Sequence, residues 1–256
     1  MPLDALPEPR RATLKGAPLE QVIWQVRHEE SAKASDVTQV LKVRDLLEHQ
    51  YPVIERAEVS EIVLNGAAMA AGVAGWRLAT DDGSWSLLIS PSFFVLECAR
   101  YTTWTEFRSR ADGLLQAIGA VFNPALMQRI GLRYVDRLSR EASSMPAQWN
   151  EQLHPAVLGF ASNDAIGDNV VVVQTTNHMK FGNHFAIVRT SCAPDTSTDS
   201  GYSMVLDTDC SDAKARAFAI DDIARTTEDL HELNLRLFQL TLSSSYLDEL
   251  TEGGSA

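Results

Sequence analysis

Apolar residues in this chain alternate at period two over several short stretches, then recur at helical spacing over one long stretch, and that order occurs twice. Period two is the signature of a strand with one buried face, and a period near 3.6 that of a helix with one buried stripe. Gln21–His28 opens the first series, with Val22, Trp24 and Val26 alternating against more polar neighbours. Ser35 or Asp36 then caps a helix that must end near Gln50, because Pro52 follows. Ser60–Leu64, Gly75–Ala79, Ser84–Ser90 and Phe93–Tyr101 read as strands, with a turn at Asp81-Asp82-Gly83. Thr103 and Glu106 have the spacing of a capping box, and a wide apolar stripe runs from Trp104 to Phe122 before Asn123-Pro124 stops it. Leu126–Leu138 closes the series as a strand.

The second series begins with a short strand at Val157–Phe160 and two longer ones, Asn169–Thr175 and His184–Thr190, flanking a hairpin tip at residues 180–183. Gly201–Asp209 is a further strand, and Ile220–Leu240 a long helix. The pattern predicts an α+β protein of two similar halves, each a curved antiparallel sheet packed against a long helix, the mark of a pseudo-duplication. Residues 18–140 and 154–250 form these halves, and the Ser-, Pro- and Gln-bearing segment 141–153 connects them. Residues 1–17, with three prolines and no periodicity, read as a flexible lead-in, and residues 251–256 as a flexible tail.

Charge narrows the partners. The net charge is −12 over 256 residues, and from Asp195 onward there are 13 acidic and 4 basic side chains. A face for duplex nucleic acid needs clustered cations to displace counterions, so nucleic acid is disfavoured as a partner. Three cysteines are too few for a disulfide framework. No apolar run follows a basic start, and no stretch of eighteen apolar residues occurs. A cytoplasmic protein with no membrane association is therefore expected.

The segment Arg129–Arg137 carries the most chemistry. As a strand it sends Arg129, Gly131, Arg133 and Arg137 to one side, and Tyr134, Asp136 and Leu138 to the other. Guanidinium forks bind carboxylate or phosphate bidentately, so the arginine face could hold an anion, with Gly131 allowing close approach. The plainer reading pairs those arginines with the chain's own carboxylates. Asp207 and Asp209, two apart on one strand, could be such partners, hold a cation, or serve acid–base chemistry. His178 and His184 flank the hairpin tip but lack further ligands at metal-binding spacing. The chain contains no nucleophile elbow, phosphate loop or dinucleotide-binding turn, and no cofactor or metal is expected.

Five segments occur in order: PLEQVIW at 18–24, ARYTTWTEF at 99–107, RIGLRYVD at 129–136, VLDTD at 205–209 and DLHELNLRLF at 229–238. Together they resemble a sporadically distributed family of prokaryotic proteins without an established biochemical function. The positions that match are Tyr101, Trp104, Phe107, Arg133, Tyr134, Asp207, His231 and Phe238. A patchy distribution implies an accessory gene, of the kind found in defence or toxin–antitoxin settings. The expectation is a non-enzymatic binding protein for a protein partner or small anionic ligand. Its candidate site comprises Arg129, Arg133, Arg137, Tyr134, Asp207, Asp209 and His231. The alternatives are an enzyme with a composite Arg/Asp/His site acting on a small anionic substrate, and a homodimer paired through sheet edges.

Overall fold

The structure, a computed structural model, describes residues 5–11, 14, 18–59, 73–138, 145–195 and 201–252. It is mixed helix and strand, with antiparallel pairing and five α-helices among the described residues. The chain divides into two compact units that interleave in sequence. One comprises residues 21–132 and 211–229, and the other residues 1–20, 133–210 and 230–256. The boundary expected at 141–153 therefore falls inside the second unit. The reason lies in the long elements: β6 (Leu126–Leu138) and α4 (Ile220–Thr241) each contribute residues to both units.

In the first unit the strands are ordered β2 (Val53–Val59), β3 (Val73–Ala79), β4 (Trp85–Ile89), β5 (Phe93–Cys98), β1 (Leu19–His28) and β6. Short turns join β3 to β4 and β4 to β5, and both pairs are antiparallel. The Asp82 carboxylate fixes the first turn by accepting from the Thr80 and Ser84 hydroxyls and the Ser84 backbone N–H. Asp36 caps α1 (Val37–Leu46), accepting from the Thr38 N–H. Thr103 caps α2 (Trp104–Val121), accepting from the Glu106 N–H at 3.2 Å. Only half of the expected capping box forms, because Glu106 instead accepts from the Thr102 hydroxyl. The apolar stripe of α2 buries Phe107, Leu114, Leu115 and Ile118. Trp24 sits in the core edge-on to Phe94, and its indole N–H donates to the Thr227 hydroxyl at 3.0 Å. The strand expected at Ser60–Leu64 lies outside the described residues.

In the second unit the strands run β6, β9 (Tyr202–Asp212), β8 (His184–Pro194), β7 (Val173–Phe181). The β7–β8 hairpin turns on Gly182-Asn183, with Gly182 at φ +60° in the first central position, as in a type II′ turn. His178 pairs with Ile187 and His184 with Phe181, so the two histidines occupy different rungs. Val157–Phe160, expected as a strand, is instead the end of α3 (Pro155–Leu158) and the start of a 3-10 turn over Gly159–Ser162. A four-residue apolar run fits either element, and Pro155 in the first helical turn decides it. The core under these strands collects Leu138, Trp149, Leu153, Met204, Leu206, Cys192, Phe238 and Leu242, and α5 (Ser244–Glu252) closes it with Leu247 and Leu250. Where a flexible lead-in is expected, residues 6–11 are hydrogen-bonded to α4. Among the described residues no helix is long and apolar enough to cross a membrane.

Candidate functional site

Alternation along β6 sorts the candidate residues. Arg133 and Arg137 leave one face of the strand, Tyr134 and Asp136 the other, as period two requires. On β9 the same rule sets Asp207 and Asp209 against the core residues Leu206 and Thr208.

On the first face, Arg133 grips Asp207 with both arms of its fork, Nε to Oδ1 at 2.7 Å and Nη2 to Oδ2 at 2.8 Å. Arg189 of β8 adds a third donor, Nη1 to Asp207 Oδ2 at 3.2 Å. One carboxylate thus lies between two guanidiniums. Burial works against the charge on Arg133, but the bonded Asp207 and the neighbouring Asp209 outweigh it and hold its pKa above the ordinary value. The Asp207 side chain is 11% exposed and that of Arg189 33%, so Arg189 is the open member of the trio. Further along, Arg137 donates from Nε to Glu20 at 2.8 Å and from Nη1 to the Ser203 hydroxyl, with Asp195 at 3.5 Å.

On the second face, Tyr134 Oη lies 2.7 Å from His231 Nδ1, the imidazole reaching down from α4. Burial, with the charge of Arg11 adding to it, pushes the His231 pKa down to about 4, so the ring is neutral at pH 7. Asp136, two residues on, is buried and its Oδ2 accepts no hydrogen bond. Burial, reinforced by the nearby charge of Glu20, pushes that carboxyl up to about 7.

Arg129 belongs to the first unit, where its Nη1 donates to Gln25 at 3.1 Å. The space over Gly131, expected to admit a ligand or a second backbone, holds this same guanidinium. A Cβ there would lie 2.5 Å from Arg129 Nη1.

The structure therefore brings Arg133 to Asp207 and Tyr134 to His231, but not these two pairs to each other. The anion that the arginine face could receive is, at Arg133, supplied by the protein itself. Sequence reasoning missed Arg189 and Asp136. Arg189 stood on the strand expected at His184–Thr190, but the unbroken apolar run Phe185–Val188 before it has no alternation that would assign it a face. Asp136 stood in the right alternation for burial, but its charge argued for solvent.

No protein-family model matches the chain, and no curated protein matches it. Among solved structures, the S. pombe Pct1 RNA triphosphatase aligns over 93% of this chain and 87% of its own, at 7% identity and a TM-score of 0.12. The same enzyme in complex with the Spt5 CTD aligns over 91% and 85%, again at 7% identity and 0.12. Scores this low carry no argument about fold or activity.

Proposed function

We propose that this is a non-enzymatic binding protein whose sheet face around Arg133, Asp207 and Arg189 takes a small anionic ligand bearing a carboxylate or phosphate. The observation that carries the reading is the Asp207 carboxylate between two guanidiniums, with Arg189 engaged through one nitrogen and a third exposed. Asp207 presets Arg133 and leaves the fork of Arg189 to meet a second anion, which would bind by the same charge-assisted geometry.

A composite enzyme site of Arg133, Asp207, Asp209 and His231 is the weaker reading. Asp207 leaves β9 on the side of Arg133, and His231 meets Tyr134 on the other side of β6, so no single cleft gathers the four. The same proposal takes the chain as a cytoplasmic accessory protein of the prokaryotic family that its five ordered segments resemble. It also takes the consecutive sequence halves 18–140 and 154–250 as the products of a duplication, and a homodimer through sheet edges as a secondary assembly.

The test is thermal unfolding in sodium succinate and in sodium phosphate, each series at constant ionic strength. A saturable rise in Tm in the wild-type protein, lost in a folded Arg189→Ala variant, supports the proposal. A wild-type Tm that does not saturate, or an unchanged response in the variant, rejects it.

A further inference from the structure

Residues 6–11 lie against α4 in a way that a loose lead-in would not. Arg236 is only 6% exposed, and a guanidinium so enclosed needs its donors met. Nη1 donates to the Leu6 carbonyl at 2.6 Å and the Pro7 carbonyl at 3.1 Å, and Nη2 to the Glu8 carboxylate at 3.0 Å. Its Nε donates to Glu232 at 2.9 Å, one helical turn back. Gln239 then holds the backbone of Arg10 on both sides of its Cα. Its Oε1 accepts from the Arg10 N–H at 2.8 Å, and its Nε2 donates to the Arg10 carbonyl at 2.8 Å. Side chains complete the set: Arg11 pairs with Glu232 at 2.8 Å, and Arg10 with Asp248 of α5.

Glu232, Arg236 and Gln239 fall at i, i+4 and i+7, so a single helix face presents an acceptor, a fork and an amide in a row. Against them runs Leu-Pro-Glu-Pro-Arg-Arg, whose two prolines fix φ and reduce the entropy lost on docking. Three carbonyls and one N–H of the segment are read through the backbone, and one carboxylate and two guanidiniums through side chains. This is the pattern by which a folded surface recognises an extended peptide.

We infer that the α4 face of Glu232, Arg236 and Gln239 is a docking surface for an extended, proline-bearing peptide with an acidic residue followed by a basic pair. Residues 6–11 occupy it in cis, and a partner segment of the same chemistry takes it when they leave. The surface is separate from the Arg133–Asp207–Arg189 face and does not rest on the reading given for it.

The probe is a fluorescein-labelled synthetic peptide of residues 4–13, DALPEPRRAT, titrated with the full chain and followed by fluorescence anisotropy. Arg10→Glu with Arg11→Glu sets like charges against Asp248 and Glu232 and loosens the cis segment. Both side chains are exposed, so the fold should persist, and circular dichroism checks it. The double variant is expected to bind the peptide at least tenfold more tightly than the wild type, because its own segment no longer competes. Adding Gln239→Ala should remove that gain, and a scrambled peptide of the same composition should not bind saturably. Equal affinity in wild type and double variant would overturn the inference. So would absence of saturable binding to the folded double variant, gain retained without Gln239, or equal binding of the scrambled peptide.

Discussion

Arg133 and Tyr134 are consecutive on β6 and serve opposite faces of it: Arg133 holds Asp207 at 2.7 and 2.8 Å, and Tyr134 meets His231 at 2.7 Å. Period two makes this unavoidable once the strand is set. Two polar constellations thus hang from neighbouring residues, one half open to solvent and one enclosed, and they answer differently to substitution.

On the open side, Arg133→Ala should cost about 1–3 kcal/mol, because it leaves a largely buried carboxylate with Arg189 alone. Arg133→Lys should recover only part of this, since an ammonium cannot reproduce the two-armed contact. Removing Arg133 and Asp207 together should cost less than the sum of the single losses, with a coupling energy of about 1–2 kcal/mol. Urea unfolding of the four proteins measures it, and strict additivity would contradict the pairing.

On the enclosed side, Tyr134→Phe keeps the ring and deletes only the hydroxyl that meets His231 Nδ1. The expected loss is about 1–2 kcal/mol, the cost of a missing partner for a buried polar atom. Secondary structure by circular dichroism should be unchanged. A variant as stable as the wild type would show that the contact contributes nothing net.

Asp136 and His231 set opposing pH dependences in the same unit. The folded-state pKa of Asp136 is raised to about 7 from 3.8, so its contribution is fully present below the unfolded value and declines as pH rises toward 7. The folded-state pKa of His231 is lowered to about 4 from 6.5, so its contribution is present above 6.5 and is lost as pH falls toward 4. Between about pH 4 and 6.5 the two slopes offset each other. Asp136→Asn should unmask the histidine, giving a protein whose stability falls steeply below pH 6.5. His231→Gln should unmask the carboxyl, giving one whose stability falls from pH 4 to about 7. Unfolding free energies at half-unit pH steps separate the two, and identical profiles in both variants would refute the assignment.

How far the sequence reveals this fold depends on the length of each periodic run. Along β6 buried and partly exposed residues alternate strictly from Leu132 to Leu138, and the expected bounds of the strand, Leu126–Leu138, are those observed. The helix read as Ile220–Leu240 ends one residue later, because its apolar stripe persists over six turns. Short runs fail. Val157–Phe160 is too brief to carry a period, and the four valines at 170–173 suggest a strand start where Val171 and Val172 are exposed and β7 begins only at Val173. Pairing is less legible than period. Arg133 facing a carboxylate could be expected from alternation, whereas the choice of Asp207, and the second guanidinium from β8, follow from strand order. Strand order is set by tertiary packing and is not written in any local stretch.

Two glycines test the difference between crowding by backbone and crowding by a side chain. At Gly167 an added Cβ would lie 2.5 Å from the Ala161 carbonyl oxygen and 3.2 Å from its carbon, within the turns that follow α3. The backbone there is fixed by the Gly167 N–H bond to the Asn163 carbonyl and by Asn150, whose side-chain amide donates to the same Ala161 oxygen. Neither atom can withdraw without breaking a hydrogen bond, so Gly167→Ala should destabilise by about 1–3 kcal/mol, the usual cost of overpacking. At Gly131 the contact is also 2.5 Å, but the atom is Arg129 Nη1, the far end of a flexible side chain. There Ala displaces the guanidinium toward solvent, and alanine's lower unfolded-state entropy offsets part of the lost Gln25 contact, so the net change should stay within about 1 kcal/mol. Chemical denaturation of the two variants side by side decides the matter: equal losses at both positions would mean that Arg129 is held as firmly as a peptide carbonyl.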